Sequence, residues 1–128
     1  MKILLDTHAF IWWNLTPEKL SLNGLNLIEN QENILYLSIA SVWEMQIKIS
    51  INKLHFDNPL SEIITYQQNI NNVQILPIEL EHIWQLKNLP LHHKDPFDRM
   101  LIAQAMTEKI PILSIDSVLN NYSVNIIW

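Results

Sequence analysis

Short runs of uninterrupted apolar residues alternate along the chain with stretches whose apolar positions recur every three or four residues. The short runs are apolar on both faces, so they predict strands covered on both sides rather than strands with one wet face. Ile3-Leu4-Leu5 is the first run and Ile34–Ser38 the second. Val73–Leu76, stopped by Pro77, is the third, and Ile112–Ile115 and Val124–Ile127 complete the set. Between them the spacing predicts a short helix over Ala9–Trp13. A second helix is opened by Pro17 and carries Leu20, Leu25 and Ile28. A third starts near Ser41, with Val42, Met45 and Ile49 on one face. Asn58-Pro59 reads as a cap and first-turn proline for a fourth helix carrying Leu60, Ile63, Ile64 and Ile70. Glu79–Lys87 forms a short fifth helix, Leu89–Lys94 a loop, and Asp95-Pro96 opens a sixth helix running to about Lys109. Strands alternating with helices predict one α/β domain over residues 1–128, a three-layer α/β/α arrangement around a five-stranded parallel sheet.

Composition narrows this picture without redirecting it. A single glycine argues against a glycine-rich phosphate loop, and the absence of cysteine excludes disulfides, thiolate metal sites and a cysteine nucleophile. The N-terminal apolar run is broken at Asp6, too early for a signal peptide, and no window reaches the ~20 apolar residues of a membrane span. A soluble, cytoplasmic protein without membrane attachment is expected. The net charge of −5 is the wrong sign for tight nonspecific nucleic-acid binding. It does not exclude a nucleic-acid substrate, because clustered acids that hold a cation make the bare sum misleading.

The chemistry lies in the acids that close these elements. Asp6 and Asp116 each follow a buried strand, where an aspartate also serves as an ordinary helix cap. Glu44, in Ser41-Val42-Trp43-Glu44, has the spacing of a capping box and equally sits in the first turn of the helix after the second strand. In Asp95-Pro96-Phe97-Asp98-Arg99, Asp95 is read as the cap and Asp98 as the acid that faces the site. Four acids from four distant places then reach one edge of one sheet. Two carboxylates ~4 Å apart repel by ~4 kcal/mol at an effective dielectric near 20, so the cluster needs a proton or a cation. All-oxygen donors select Mg²⁺ or Mn²⁺, and such an ion suits phosphodiester hydrolysis.

Other residues compete less well. His92-His93 reads as solvated loop, His8 as packing beside Trp12, and the five tryptophans as core rather than a platform for stacked bases. Lys48, Lys53 and Arg99 are the basic residues near the proposed edge, where they could meet a phosphate backbone.

Together these residues carry a resemblance. Leu4-Leu5-Asp6-Thr7-His8, Ser41-Val42-Trp43-Glu44 through Lys48, His93-Lys94-Asp95-Pro96-Phe97-Asp98-Arg99 with Ile102-Ala103-Gln104-Ala105, and Ser114-Ile115-Asp116 resemble the PIN-domain nucleases. The nearest look is that of VapC-type toxins of toxin–antitoxin pairs. The resemblance implies strand order 3-2-1-4-5 and metal-binding, catalytic acids at Asp6, Glu44, Asp98 and Asp116. Thr7 matches the hydroxyl residue after the first acid. The implied activity is Mg²⁺-dependent (or Mn²⁺-dependent) endoribonuclease cleavage of RNA, with homodimerisation and inhibition by a cognate antitoxin protein. In many relatives the third acid stands at the position of Arg99, which keeps Asp95 and Arg99 beside Asp98 as secondary candidates, with Lys48. The alternative is a non-catalytic acidic-pocket α/β module, receiver-like or a degenerate PIN fold, acting through protein–protein binding.

Overall fold

The strand at the N-terminus lies at the centre of the sheet. In the computed structural model, which describes all 128 residues, β1 (Lys2–Leu5) pairs in parallel with β2 (Ile34–Ser38) on one side. On the other side it pairs with β4 (Ile112–Leu113), again in parallel. β3 (Gln74–Leu76) and β5 (Ile126–Ile127) add the outer strands, giving the order β3-β2-β1-β4-β5. This is the order the resemblance implies. Strands are added to one side of β1 up to β3 and to its other side from β4 on, which makes the carboxyl ends of β1 and β4 the switch point of the sheet.

The uninterrupted apolar run of β1 is explained by its two covered faces. Ile3 and Leu5 pack on one side with Phe10, Ile28, Met45 and Leu60. These come from α1 (Thr7–Leu15), α2 (Leu22–Glu29), α3 (Ile39–Ser50) and α4 (Leu60–Ile70). Leu4 points the other way, into a second cluster with Leu101, Ile102, Ala105 and Leu119. The largest share of that cluster comes from α6 (Pro96–Glu108), against which α5 (Leu80–Gln85) packs. Ile3, Leu4 and Leu5 are wholly inaccessible. Burying such a side chain contributes about 1.5–3 kcal/mol, so this strand anchors both layers. No helix is long and apolar enough to cross a membrane.

Four boundaries differ from the sequence reading, each for a local reason. Pro17 opens only a 3₁₀ turn (Pro17–Lys19); α2 begins at Leu22, where the Ser21 hydroxyl accepts from the Gly24 N–H at 2.9 Å. Pro59 is itself the cap residue of α4, and Asn58 supplies no side-chain cap. α3 starts at Ile39, because Ser38, the last residue of β2, caps it through the Ala40 N–H at 3.0 Å. Finally, β4 stops at Leu113: the Ser114 N–H still reaches the Ile127 carbonyl at 3.0 Å, but the Asp116 N–H turns to the Ser114 hydroxyl and a 3₁₀ turn (Ser117–Asn121) follows.

Candidate metal centre

Asp6 follows β1 directly and occupies the cap position of α1, yet its side chain makes no capping hydrogen bond. The carboxylate turns instead across the switch point, where Oδ2 accepts from the Ser114 hydroxyl at 2.7 Å. Ser114 Oγ in turn accepts from the Asp116 N–H at 3.0 Å, so one hydroxyl ties the end of β1 to the start of the Asp116 turn. Asp6 is almost fully buried. Burial raises its pKa; the Ser114 hydrogen bond, the nearby His8 and the Thr7 N–H pull it back, and the Glu44 charge adds to the rise.

Glu44 is the sixth residue of α3, about one turn deeper than a first-turn acid. Ser38 has taken the capping role that the Ser41–Glu44 spacing suggested, which leaves Glu44 free to point inward. Its Oε2 meets the Lys48 ammonium at 3.1 Å, while Oε1 is buried without any partner. A buried carboxylate oxygen without a donor is costly and calls for an occupant.

Asp95 and Asp98 stand at the start of α6 with different partners. Asp95 Oδ1 accepts from the Phe97 and Asp98 N–H groups at 2.8 and 3.2 Å, capping α6 with Pro96 in its first turn. Asp98, in the third position of the helix, sits in the field of Asp6 and Glu44. Its pKa is pushed up to about 7, chiefly by burial, then by the charges of Asp6 and Asp95, with Glu44 adding and His93 opposing.

Asp116 is less buried. Its Oδ1 accepts from the Val118 N–H at 3.0 Å, a cap, and its Oδ2 lies 3.3 Å from His93 Nε2. The same nitrogen lies 2.9 Å from Asp98 Oδ2. His93 is therefore not the solvated loop residue that sequence reasoning made of it; it stands between two of the four acids. No ligand spacing announced it, because the loop is folded back by distant residues. The Tyr122 hydroxyl accepts from the His93 N–H at 2.8 Å and donates to the Pro90 carbonyl at 2.9 Å. Arg99 donates to the carbonyls of Pro90, His93, Leu86 and Leu89 at 3.0–3.4 Å.

The remaining candidates hold the frame. Thr7 is buried and its hydroxyl donates to Ser41 Oγ at 2.8 Å, tying α1 to α3. Lys48 faces Glu44, and the Arg99 guanidinium is spent on carbonyls, which explains why an arginine can occupy that position beside the site. His8 is exposed and packs on Trp12, as expected. The tryptophans are not uniformly core: Trp43 and Trp84 are 60% and 62% exposed, and Trp43 stands edge-to-face with Phe97 at 5.2 Å.

The donors present fit a hard divalent cation. Asp6, Glu44 and Asp98 are three mutually repelling carboxylates at a sheet switch point, and Glu44 Oε1 has no protein partner. The nearest ligand atoms of His93, Asp98 and Asp116 also lie within 4.8 Å of one another. The imidazole itself fits poorly as a ligand, however. The Asp95 N–H donates to Nδ1 at 3.1 Å, which places the ring hydrogen on Nε2, the atom that would have to offer a lone pair.

Comparisons with known proteins agree with this picture. The family model described as PIN domain matches residues 3–125. No curated protein sequence matches the chain. Among solved structures, VapBC2 from Rickettsia felis, bound to a DNA fragment from its promoter, is similar with a TM-score of 0.72 at 12% identity, covering 99% of this chain and 98% of that one. FitAcB from Neisseria gonorrhoeae gives 0.68 at 16% identity over 98% and 96% of the two chains. VapBC-5 from Mycobacterium tuberculosis, of the VapBC family of toxin–antitoxin systems, gives 0.61 at 15% identity over 98% and 97%. At such identities these likenesses speak to the fold.

Proposed function

The chain belongs to the PIN domain family, a family of nucleases, and from that premise we propose that it is a Mg²⁺- or Mn²⁺-dependent endoribonuclease, the toxin of a toxin–antitoxin pair. The observation that carries this reading is the buried, mutually repelling group of Asp6, Glu44 and Asp98, with a partnerless oxygen on Glu44. Asp6, Glu44 and Asp98 would hold the cation, with Asp116 beside them. A bound divalent ion lowers the pKa of water and neutralises charge building on a phosphate. The chain's own residues do the rest. Ser114 fixes the rotation of the Asp6 carboxylate through Oδ2, and Lys48 fixes Glu44 through Oε2. Asp98, titrating near neutrality, can give up its proton to solvent when a cation replaces it, so no unpaired charge has to be created first.

RNA as substrate, an antitoxin as inhibitor and a homodimer as the working unit are what the resemblance implies. An exposed apolar stripe supports a protein-covered face: Ile39, Trp43, Ile47 and Ile51 recur once per turn along α3, each 38–60% exposed. Purified protein with Mn²⁺ should cut single-stranded RNA, and Asp6→Asn should lower the rate by at least a hundredfold. Equal cutting by wild type and variant would refute the assignment.

A further inference from the structure

Each acid of the cluster has one oxygen held by a dedicated donor: Asp6 by Ser114, Glu44 by Lys48, and Asp98 by His93. Asp116 differs, since both its oxygens are engaged, Oδ1 by the Val118 N–H and Oδ2 by the same imidazole that meets Asp98. We infer that His93 is a positioning residue of the site, which aligns Asp98 for a divalent cation, and that Asp116 serves as its second acceptor more than as a ligand of its own. The inference rests on the metal-dependent reading above, but concerns a residue which that reading does not need.

Three features carry it. First, the imidazole is fixed from both sides of its backbone and at its ring: the Tyr122 hydroxyl takes its N–H, Arg99 reaches its carbonyl at 3.3 Å, and the Asp95 N–H reaches Nδ1 at 3.1 Å. Second, that last contact sets the tautomer. With Nδ1 accepting, Nε2 bears the hydrogen and faces Asp98 Oδ2 at 2.9 Å and Asp116 Oδ2 at 3.3 Å, shared between two acceptors. Third, the Asp95 amide that sets the tautomer stands at the cap of the helix carrying Asp98. The start of α6 thus both presents the acid and orients the group that aligns it. Partners of this kind, which touch a ligand side chain rather than the ion, typically contribute 10–100-fold to metal affinity.

Titration calorimetry of the full-length protein with MnCl₂, in the absence of RNA, tests the arrangement. His93→Ala should weaken Mn²⁺ binding about tenfold, whereas His93→Gln, which keeps an N–H donor on a side chain of similar reach, should recover most of the loss. Asp116→Asn should weaken binding in the wild type and add little in the His93→Ala background, because the two act as one unit. Thermal melts of each variant confirm that it folds. Unchanged affinity in His93→Ala would overturn the inference and leave the metal site standing. His93→Gln binding as poorly as His93→Ala, with independent losses for Asp116→Asn, would overturn it in favour of direct ligation by both residues. Absence of Mn²⁺ binding by the wild type would overturn the metal-dependent reading, and this inference with it.

Discussion

Asp98 retains a proton near neutral pH that an exposed aspartate would have lost. Unfolded, the residue titrates near 3.9; folded, at about 7. Between these values the folded chain holds a proton that the unfolded chain does not, so stability falls as pH rises through the window and the whole penalty persists above it. Solvent reaches part of this side chain and reduces the full effect to about 1–2 kcal/mol. Without divalent ions, Asp98→Asn should therefore stabilise the protein by about that amount at pH 8 and by little at pH 4, measured by thermal melts. A gain of equal size at both pH values would show that the buried charge of Asp98 is not its source. Three of the acids sit where local signals put them, Asp6 and Asp116 after a strand and Asp98 at a helix start, whereas Glu44 lies in the second turn of α3. Their supporting groups were not legible. Ser114 precedes Asp116 by two positions, a common turn pattern, and nothing in that spacing shows that its hydroxyl crosses to Asp6 on another strand.

The segment between α5 and α6 opens with a 3₁₀ turn (Leu86–Asn88) and is tied down further by side chains. Arg99 takes four carbonyls from it and Tyr122 takes an amide and a carbonyl. Only a planar fork with several donors can serve so many acceptors at once, so lysine is a poor substitute. Arg99→Lys should speed amide hydrogen exchange at His93 and its neighbours at least tenfold while leaving β1 protected; unchanged exchange would show that Tyr122 suffices. The cap of α6 gives a second test, since Asp95→Ala should cost about 1 kcal/mol in a denaturant titration. That helix start was legible because Asp95, Pro96 and Asp98 are local signals. The start of α3 was not, because Ser38 and Ser41 are both capping residues, and the choice between them depends on where β2 leaves the sheet. Glu44 is placed by that tertiary fact. Likewise β4 and β5 are shorter than their apolar runs: the Asp116 N–H turns to the Ser114 hydroxyl after β4, and the Val124 N–H closes a turn on the Tyr122 carbonyl before β5.

Five acids, Asp6, Glu44, Asp95, Asp98 and Asp116, gather at the carboxyl edge of the sheet, and one exposed apolar stripe runs along α3. In a chain of net charge −5, the charge at the switch point is a local demand for cations. If the α3 stripe is covered by a second copy, Ile47→Glu with Ile51→Lys should halve the solution mass in light scattering and leave the melting temperature of the monomer nearly unchanged. A wild type that is already monomeric would assign the stripe to a different protein partner. The fold as a whole was legible, because five short apolar runs separated by helical spacing leave few alternatives to a parallel sheet. We propose that Asp6, Glu44 and Asp98 form one cation site. A crystal grown with MnCl₂, with data collected at a wavelength where manganese scatters anomalously, tests it most directly. An anomalous peak among those three carboxylates is the expected result; a well-ordered site without one, or a peak elsewhere on the surface alone, would contradict it.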